Sequence, residues 1–459
     1  KNKIYVIIYI MATEIIVPSS LGQEFNFALP ASLPSSKTYE IRVQPVNAQS
    51  FSTAGSVIQF DIPCNKRGQY LDPTTTYVRF KAVYTQSGTA GTDTHVLLGS
   101  AYSYFNKQEV YGNNSVTLET INELGVLANL LLNTQLNSAD KAGMSASFGL
   151  PETTTTCVSN VGHIINGAAP NQLTFEYAIP IIGILGSGTD KFIPTGAFNS
   201  LRYELTLDSY LNFTQYLTSL TYKITGLTIS DVEFVAQVVE LDNDSQSLIE
   251  AQNPGKIHIR TQSYRTATNT LASTSLGLVD ILIGTRVSSL KSMYISCAPS
   301  DAAELKFASV CPNAGQGTCL VLAGAQIPQR CLNCVNRPAD AYLELQKALG
   351  ALSCTVYNGS INKAAYYTAS TAQGLCTAYN TTKTAMYTNP SMHFMGINTE
   401  IIAHRGGLLS GININTAPSF FRMQITAALS AATNTLYFFA FHDIILEIDV
   451  MAKTIVAKF

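Results

Sequence analysis

The sequence predicts an all-β protein: two tandem eight-stranded jelly rolls (a double jelly roll), each with a short helix in a loop. Three observations predict this fold class: the composition, the period-two alternation of apolar residues, and an internal repeat of about 220 residues. Of the 459 residues, 46% are hydrophobic and only 13% are charged, and Tyr (23) and Phe (20) are abundant. Aromatic residues are favoured in strands, and this length accommodates two or three domains.

Strand-like alternation is clearest in "YEIRVQ", which places Tyr39, Ile41 and Val43 on one face and polar residues on the other. Apolar residues at every second position indicate a strand with one buried face. The same alternation predicts first-half strands at 57–63, 77–84, 172–182, 200–208 and 221–241. In the second half it predicts strands in "KIHIRTQSY", "FFRMQITAAL" and "HDIILEIDV".

Two segments have the apolar spacing of a helix instead. The first is 118–133, where the spaced apolar residues are Leu118, Ile121, Leu124, Leu127 and Leu131. The second is 338–352, where they are Tyr342, Leu345, Leu349 and Leu352. The sequence therefore predicts one short helix in each half.

Four segments of the first half recur in the second half in the same order. The matches are the strands at Arg42 and Arg260 (260 − 42 = 218), the helices (338 − 118 = 220), the strands at Arg202 and Arg422 (422 − 202 = 220), and the strands at Asp231 and Asp443 (443 − 231 = 212). Solenoid repeats have periods of roughly 20–50 residues. The longer period here predicts the duplication of a whole domain.

The predicted organisation has four parts. They are an N-terminal arm (1–36), a first jelly roll (37–243), a linker (244–256), and a second jelly roll (257–459) with an elaborated loop at about 298–395. The linker prediction depends on the polar stretch "DNDSQSLIEAQNPGK", which ends in Asn-Pro-Gly. The arm is predicted to be extended because Pro18, Pro30 and Pro34 lie among Ser and Ala.

Residues 1–10 are predicted to be upstream translation or a terminal arm, because Met11-Ala12-Thr13 resembles a natural start. A signal peptide is the alternative, although no ordinary cleavage site follows.

No uninterrupted apolar run reaches about 18 residues, so no membrane span is predicted. The net charge is −2 and the sequence has no Lys/Arg run, so direct sequence-specific binding of nucleic acid is not expected.

Four stretches resemble a known family: "VIQFDIPCNKRGQYLDPTTTYVRFKAVY", "LLGSAYSYFNKQEVYGNNSVTL", "IPIIGILGSGTDKFIPTGAFNSLRYELTL" and "LYFFAFHDIILEIDVMAKTIVAKF". Together they resemble the double jelly-roll major capsid proteins of tailless double-stranded DNA viruses, above all the short forms of virophages and of polinton-like or adintovirus-like elements. The resemblance covers residues 37–459 and concerns architecture, since no single diagnostic motif carries it.

The resemblance implies a structural protein of the virion, assembled in the nucleus or cytoplasm of the host cell. It implies a homotrimer whose six jelly rolls form a pseudo-hexagonal capsomer, and many such capsomers would tile an icosahedral capsid. The implied partners are other copies of the chain, a vertex (penton) protein and minor capsid proteins. An enzymatic activity is not expected.

No catalytic, cofactor-binding or metal-binding residue is predicted, and no cofactor. The best metal candidate is the spacing Cys311-x7-Cys319-x11-Cys331-x2-Cys334, but a structural zinc site usually has a second closely spaced pair. Structural zinc, a disulfide among these cysteines with Cys354 and Cys376, and reduced buried thiols remain open. Reduced thiols are favoured, because nine cysteines is an odd number and their density is low.

The other polar residues are interpreted as loop, linker or surface residues. These are His393 and His404, the acids Glu240, Asp242 and Asp244, the strand acids Glu40, Glu204, Glu233 and Glu447, and the strand histidines His258 and His442, which are placed on solvated faces or subunit contacts.

The alternative function is a tandem jelly-roll protein that binds carbohydrate or a receptor. Trp, a common platform for sugars, is absent. A β-sandwich hydrolase is disfavoured, because its two carboxylates would have to face one groove.

Overall fold

The computed structural model describes residues 36–459 apart from several gaps. The gaps are residues 65, 88–93, 114, 137, 151–160, 167–173, 187–188, 190, 217–222, 273, 301–305, 308–316, 323, 334–336, 350–393, 401–410, 417 and 426–432. The predicted N-terminal arm and most of the predicted elaborated loop therefore lie outside the described residues.

The first half contains two antiparallel sheets. One has the strand order β1 (Ser36–Val43), β12 (Lys223–Leu241), β4 (Gln69–Ser87) and β9 (Thr174–Pro180), and the short β2 (Ser50–Phe51) also pairs with β12. The other has the order β3 (Val57–Ile62), β10 (Leu201–Leu207), β6 (Phe105–Gly112) and β7 (Val116–Asn122). Apolar residues alternate inward along these strands, as in β10, so the two sheets face each other across a core.

The loops of the first half carry smaller elements. They are β5 (Thr94–Leu98), β8 (Val161–Asn166) and β11 (Thr214–Tyr216), which form a three-stranded sheet, and the helices α1 (Leu124–Gln135), α2 (Ser138–Gly143), α3 (Ser145–Phe148) and α4 (Tyr210–Phe213). A further helix, α5 (Asn243–Gln252), follows β12.

The second half repeats the two-sheet arrangement. One sheet has the order β13 (Lys256–Ala272), β20 (Thr433–Asp449), β15 (Leu290–Pro299) and β18 (Phe394–Asn398), with β21 (Thr454–Lys458) also paired to β20. The other has the order β14 (Gly277–Ile283), β19 (Ser419–Ile425), β16 (Thr318–Leu322) and β17 (Ala325–Leu332), and helix α6 (Pro338–Ala348) follows β17.

Both halves have the same topology. Counted along each half, without the short β2 and the loop and C-terminal strands, one sheet contains the first, eighth, third and sixth strands and the other contains the second, seventh, fourth and fifth. The longer helix lies between the fifth and sixth strands in each half. This is the two-sheet arrangement of an eight-stranded jelly roll. The predicted fold class is therefore confirmed.

Two ion pairs recur at matching positions of the two rolls. Arg202 Nε on β10 lies 2.7 Å from Asp61 Oδ1 on β3, and Arg422 Nε on β19 lies 2.7 Å from Asp280 Oδ1 on β14. In each roll the two residues of this pair are also direct partners in the strand register. The strands that the repeat matched at Arg202 and Arg422 are therefore structurally equivalent.

A second pair joins the first and eighth strands of each roll. Arg42 lies 3.5 Å from Glu233, and Arg260 lies 3.1 Å from Asp443. Asp443 therefore corresponds to Glu233, and the sequence match of Asp443 with Asp231 was wrong by two residues. The register of β12 shifts between Ser230 and Glu233, which is a bulge that sequence similarity cannot detect.

The helix predicted at 118–133 is wrong in its first part. Val116–Asn122 is strand β7, and the helix begins at Leu124. Glu123, between them, has the left-handed conformation (φ 56°) that turns the chain from strand to helix. Leu118 and Ile121 are buried on the strand, so their helical spacing was a coincidence.

The main core extends through both rolls. One cluster of buried apolar side chains includes Phe60 and Phe80 of the first roll and Phe439 and Ile448 of the second. A separate cluster around Phe421 fills the interior of the second roll. Each fully buried Phe or Ile contributes about 1.5–3 kcal/mol, so a core shared by both rolls stabilises their contact as well as each roll.

The residues predicted as the linker, 244–256, contain most of α5 and the turn before β13. Asp242 caps this helix, because its carboxylate accepts a hydrogen bond of 2.9 Å from the Ser245 amide. The division of the chain into domains stays a prediction.

Candidate functional site at the junction of the two jelly rolls

The junction is the contact between the β6–β7 edge of the first roll and strands β13 and β21 of the second. Asn113 Nδ2 donates to the Ile455 carbonyl at 2.8 Å, and the Ile455 amide donates to Asn113 Oδ1 at 3.1 Å. Thr266 Oγ1 donates to the Asn122 carbonyl at 2.7 Å. Side chains of each roll thus satisfy backbone groups of the other across the junction.

The backbone at the β6–β7 turn is shaped for this contact. Asn113 has φ 52°, in the left-handed region that Asn tolerates better than most residues. A Cβ on the preceding Gly112 would lie 2.5 Å from Ile455 Cγ2. Glycine is therefore required for the close approach of β21 to this turn.

Glu119 on β7 lies fully buried at the centre of the junction and accepts three hydrogen bonds. Gln108 Nε2 donates to Oε2 at 3.1 Å, the Ile184 amide donates to Oε1 at 3.1 Å, and the Ser263 hydroxyl of the second roll donates to Oε1. A carboxylate of the first roll is therefore bound by a hydroxyl of the second.

Burial raises the pKa of Glu119 to about 7, although the three hydrogen bonds that it accepts act in the opposite direction. The neighbouring Gly183 leaves room for the carboxylate, because a Cβ there would lie 2.1 Å from Glu119 Oε1. A second polar contact crosses the junction nearby, where Thr189 Oγ1 lies 2.5 Å from Thr261 Oγ1.

The connection between β15 and β16 of the second roll also enters the first roll. Two of its described residues, Lys306 and Phe307, form what we call the Lys306–Phe307 anchor. Phe307 is 2% exposed, and Cβ atoms built on Gly99 and Gly125 of the first roll would lie 3.1 Å from its ring. The two glycines therefore make a slot for the Phe307 ring.

Lys306 is held by acids of the first roll. Its Nζ lies 2.5 Å from Asp208 Oδ2 and 2.9 Å from Glu123 Oε2, and it donates to Asn106 Oδ1 at 3.2 Å. Burial alone would lower the pKa of Lys306, but the two carboxylates outweigh this effect and raise it. The ammonium group is therefore charged, and the carboxylates of Asp208 and Glu123 balance its charge inside the protein.

We expect Glu119→Gln to remove a pH dependence of stability. The carboxyl in the folded protein has a pKa of about 7 against 4.5 for an unperturbed Glu, so the folded state holds the proton more strongly. Stability from this group is present below about pH 4.5 and is lost as the pH rises through 7, by up to about 3 kcal/mol. Urea unfolding of both proteins between pH 4.5 and 8 measures the difference.

The stability contribution of His442 also changes with pH in this experiment, but it cancels when wild type and Glu119→Gln are compared. Burial lowers its pKa to about 4, so its contribution rises with pH and is present in both proteins. Only the difference between wild type and Glu119→Gln at each pH is diagnostic. A difference that stays constant from pH 4.5 to 8 would contradict the assignment.

Two of the strand residues lie elsewhere than predicted. His442 is buried rather than solvated, and its Nδ1 lies 3.2 Å from the Asp443 carbonyl. Glu447 is also mostly buried, where Lys256, Lys458 and His258 surround its carboxylate and hold its pKa at about 2. Alternation predicted an outward face for both, but three basic side chains surround Glu447, and the centroid of the Phe459 ring lies 6.0 Å from that of His442.

The described cysteines contain one close pair. Cys319 on β16 lies close to Cys331 on β17, and burial, together with this neighbour, raises the pKa of Cys319 to about 12. Cys311, Cys334, Cys354 and Cys376 lie outside the described residues, as do His393 and His404. Within the described part of the chain, no group of three or more His, Cys, Asp or Glu side chains could hold a metal ion.

The acids just before the predicted linker make specific contacts. Asp242 caps α5, and Glu240 Oε2 lies 2.7 Å from Lys66 Nζ. In the part of the chain that the structure describes, no helix is long and apolar enough to cross a bilayer.

Sequence reasoning did not find Glu119 or Lys306. One signal was present: Glu119 lies between the apolar residues Leu118 and Ile121, where a charged residue on a strand inside the core needs a partner. That partner, Ser263, lies 144 residues away. Lys306 carried no comparable signal, because its neighbours in the sequence follow no clear period.

No protein-family model and no curated protein matches the chain. Solved structures do. The PBCV-1 protein VP54, fitted into a reconstruction of the virophage Sputnik, has a TM-score of 0.55 at 10% identity, over 95% of this chain and 99% of that one. The Faustovirus major capsid protein has a TM-score of 0.56 at 9% identity, over 94% and 93%.

The mavirus major capsid protein is similar over 96% of this chain and 94% of its own, with a TM-score of 0.51 at 9% identity. The similarity in all three cases includes both rolls, since nearly the whole chain is covered. At such low identity the likeness concerns the fold, and it agrees with the resemblance that the sequence motifs indicated. The chain has the double jelly-roll fold of these viral major capsid proteins.

Proposed function

We propose that the protein is a major capsid protein whose trimers form pseudo-hexagonal capsomers of an icosahedral shell. The observation that carries this proposal is the junction, which fixes two rolls of the same topology in one chain. Three such chains around an axis provide six similar sides, and repeated contacts between identical subunits build closed shells. The structures to which the chain is similar are capsid proteins, which supports the same function.

The proposal has further parts. The protein is located in the virion, it acts as a structural subunit without catalysis, and its first partners are other copies of itself. A vertex protein and minor capsid proteins complete the shell. The chain does not bind nucleic acid in a sequence-specific way, because its net charge is −2 and its sequence has no basic run.

The outer edge of β14 is the surface that we assign to contacts between copies. Leu278, which is 63% exposed, and Leu282 project from this edge strand, and no backbone hydrogen bond from the described residues reaches its free side. In the first roll the matching strand β3 is covered, because the Val46 amide donates to the Gln59 carbonyl at 2.9 Å. An open apolar edge favours association with a second copy.

The first experiment is the mass of the purified protein in solution by light scattering. A species of about 150 kDa, three times the 49.5 kDa chain, that forms hexagonal particles in electron micrographs supports the proposal. A monomer that does not assemble at any concentration overturns it, and a glycan array then tests the carbohydrate-binding alternative.

We expect Leu278→Gln to weaken the trimer. The matching residue of the first roll is Gln59, since Asp280 matches Asp61, so the variant copies a side chain already accepted in this fold. Loss of one apolar contact of about 1–2 kcal/mol per interface lowers association roughly tenfold. Sedimentation equilibrium measures this constant.

The control is Leu211→Gln, because Leu211 on α4 is similarly exposed (56%) but lies away from β14. Equal trimer affinity for wild type and Leu278→Gln would remove β14 from the interface. The trimer itself would then still be tested by the mass in solution.

A further inference from the structure

A groove of about 540 Å³ lies beside α5, outside the junction. We call it the linker groove and define it by Gly68, Ile249, Asn253, Ile257, Val450 and Met451. Its walls are one face of α5, the turn between β20 and β21, and the connection between β3 and β4. Much of the lining is apolar, and Met451 at its rim is 87% exposed.

Among the described residues, helix α5 has little packing for its apolar side chains. None of its side chains is buried, and Leu248 is 67% exposed beside the half-buried Ile249. A helix of ten residues is only marginally stable in water, and packing of an apolar face normally provides most of its stability. A partner in the groove that covers Ile249 would add to that packing.

The N-terminal segment enters the described structure one strand away from this groove, because β12 lies between β1 and the Gly68 side of the groove. Ser36, the first described residue, is the register partner of Leu241, and the Leu241 amide donates to the Gly68 carbonyl at 2.9 Å. Strand β1 is antiparallel to β12, so the N-terminal end of β1 points towards the start of α5. Leu33 lies only three residues, about 10 Å of extended chain, before that point.

The sequence of this segment matches the chemistry of the groove. In "FNFALPASL" (25–33) every second residue is apolar, namely Phe25, Phe27, Leu29, Ala31 and Leu33. Such alternation places all five side chains on one face of an extended segment. Pro30 and Pro34 donate no backbone hydrogen bond and favour an extended conformation.

We propose that residues 25–33 of the same chain bind in the linker groove, with their apolar face on Ile249, Ile257 and Met451. Attachment at Ser36 gives the segment a high effective concentration at the groove, so binding within one chain is favoured over binding to a second copy. The inference does not depend on the proposed function, because a monomer would make the same contact.

A photo-cross-link in the full chain tests the contact. The substitution Ile249→p-benzoylphenylalanine places the label on α5 in the groove. Trypsin cleaves after Lys3 and Lys37 but not between them, and after Lys223 and Lys256 on either side of the label. We expect mass spectrometry to find peptide 4–37 joined to peptide 224–256, in a product that migrates as a single chain under denaturing conditions.

Two matched variants make the test specific. The change of Phe25, Phe27 and Leu29 to Ser is expected to abolish the cross-link, whereas the change of Ile4, Ile7 and Ile8 to Ser leaves it intact. A label at Leu211, on α4, should not capture peptide 4–37. Capture of any other peptide, a product of two chains, or a cross-link that survives the Phe25/Phe27/Leu29 change overturns the inference.

A second readout does not depend on cross-linking. The chain has no Trp, so Met451→Trp introduces a single indole at the rim of the groove. We expect its emission at shorter wavelength in the otherwise unchanged chain, and a shift to longer wavelength when Phe25, Phe27 and Leu29 are changed to Ser. Identical spectra would contradict the contact.

Discussion

Phe307→Ala is expected to lower the free energy of unfolding by about 3–5 kcal/mol. The ring is almost fully buried in the slot between Gly99 and Gly125, and a Cβ on either glycine would already touch it. Removal of the ring leaves a cavity that two glycine backbones cannot fill by side-chain rearrangement. Urea unfolding measures the loss.

Limited proteolysis with trypsin distinguishes release of the anchor from global unfolding. Lys306 is mostly buried, and detachment of Phe307 would expose the bond after Lys306 to the enzyme. The control is Phe192→Ala, because Phe192 is 50% exposed and its truncation should cost little. Equal stability and equal cleavage in wild type and Phe307→Ala would show that the anchor does not hold the rolls together.

Lys306→Met is expected to cost about 3–5 kcal/mol as well, for an electrostatic reason. The substitution keeps the apolar stem but removes the charge, so Asp208 and Glu123 are left as two acids without their cation. Asp208 is nearly buried, and an uncompensated buried carboxylate is strongly unfavourable. Urea unfolding of the wild type and the variant measures the loss.

A double-mutant cycle isolates the pair. Asp208→Asn in the Lys306→Met background should recover part of the loss, because the unpaired charge disappears with it. Lys37→Met serves as the control, since Lys37 lies exposed on β1. If the two single changes add independently, the short contact between Lys306 and Asp208 does not stabilise the junction.

The sheets could be predicted from the sequence because alternation reports burial directly. The strand at 200–208 was predicted within one residue of β10 at each end, since Leu201, Tyr203 and Leu205 alternate with polar neighbours. The repeat around Arg202 and Arg422 was visible for the same reason, and the two ion pairs to Asp61 and Asp280 explain why these arginines occur at matching positions.

The junction could not be predicted, because its contacts join residues far apart in the chain. Asn113 and Ile455 are 342 residues apart, and Glu119 and Ser263 are 144 apart. Alternation also fails where neighbouring side chains bury a residue on an outer face: Lys256, Lys458 and His258 surround Glu447, which was predicted to lie in solvent. The boundary at Glu123 depends on one left-handed residue, a feature that apolar spacing does not contain.

The duplicated ion pairs have a consequence for how the chain reaches its native state. Arg202 and Arg422 have equivalent acidic partners, so β10 could pair with β14, or β19 with β3, and still satisfy its charge. Such exchanges between similar domains are a characteristic misfolding route. Because the N-terminal roll leaves the ribosome first, it can close before its competitor is synthesised, and the order of synthesis then protects each roll from the strands of the other.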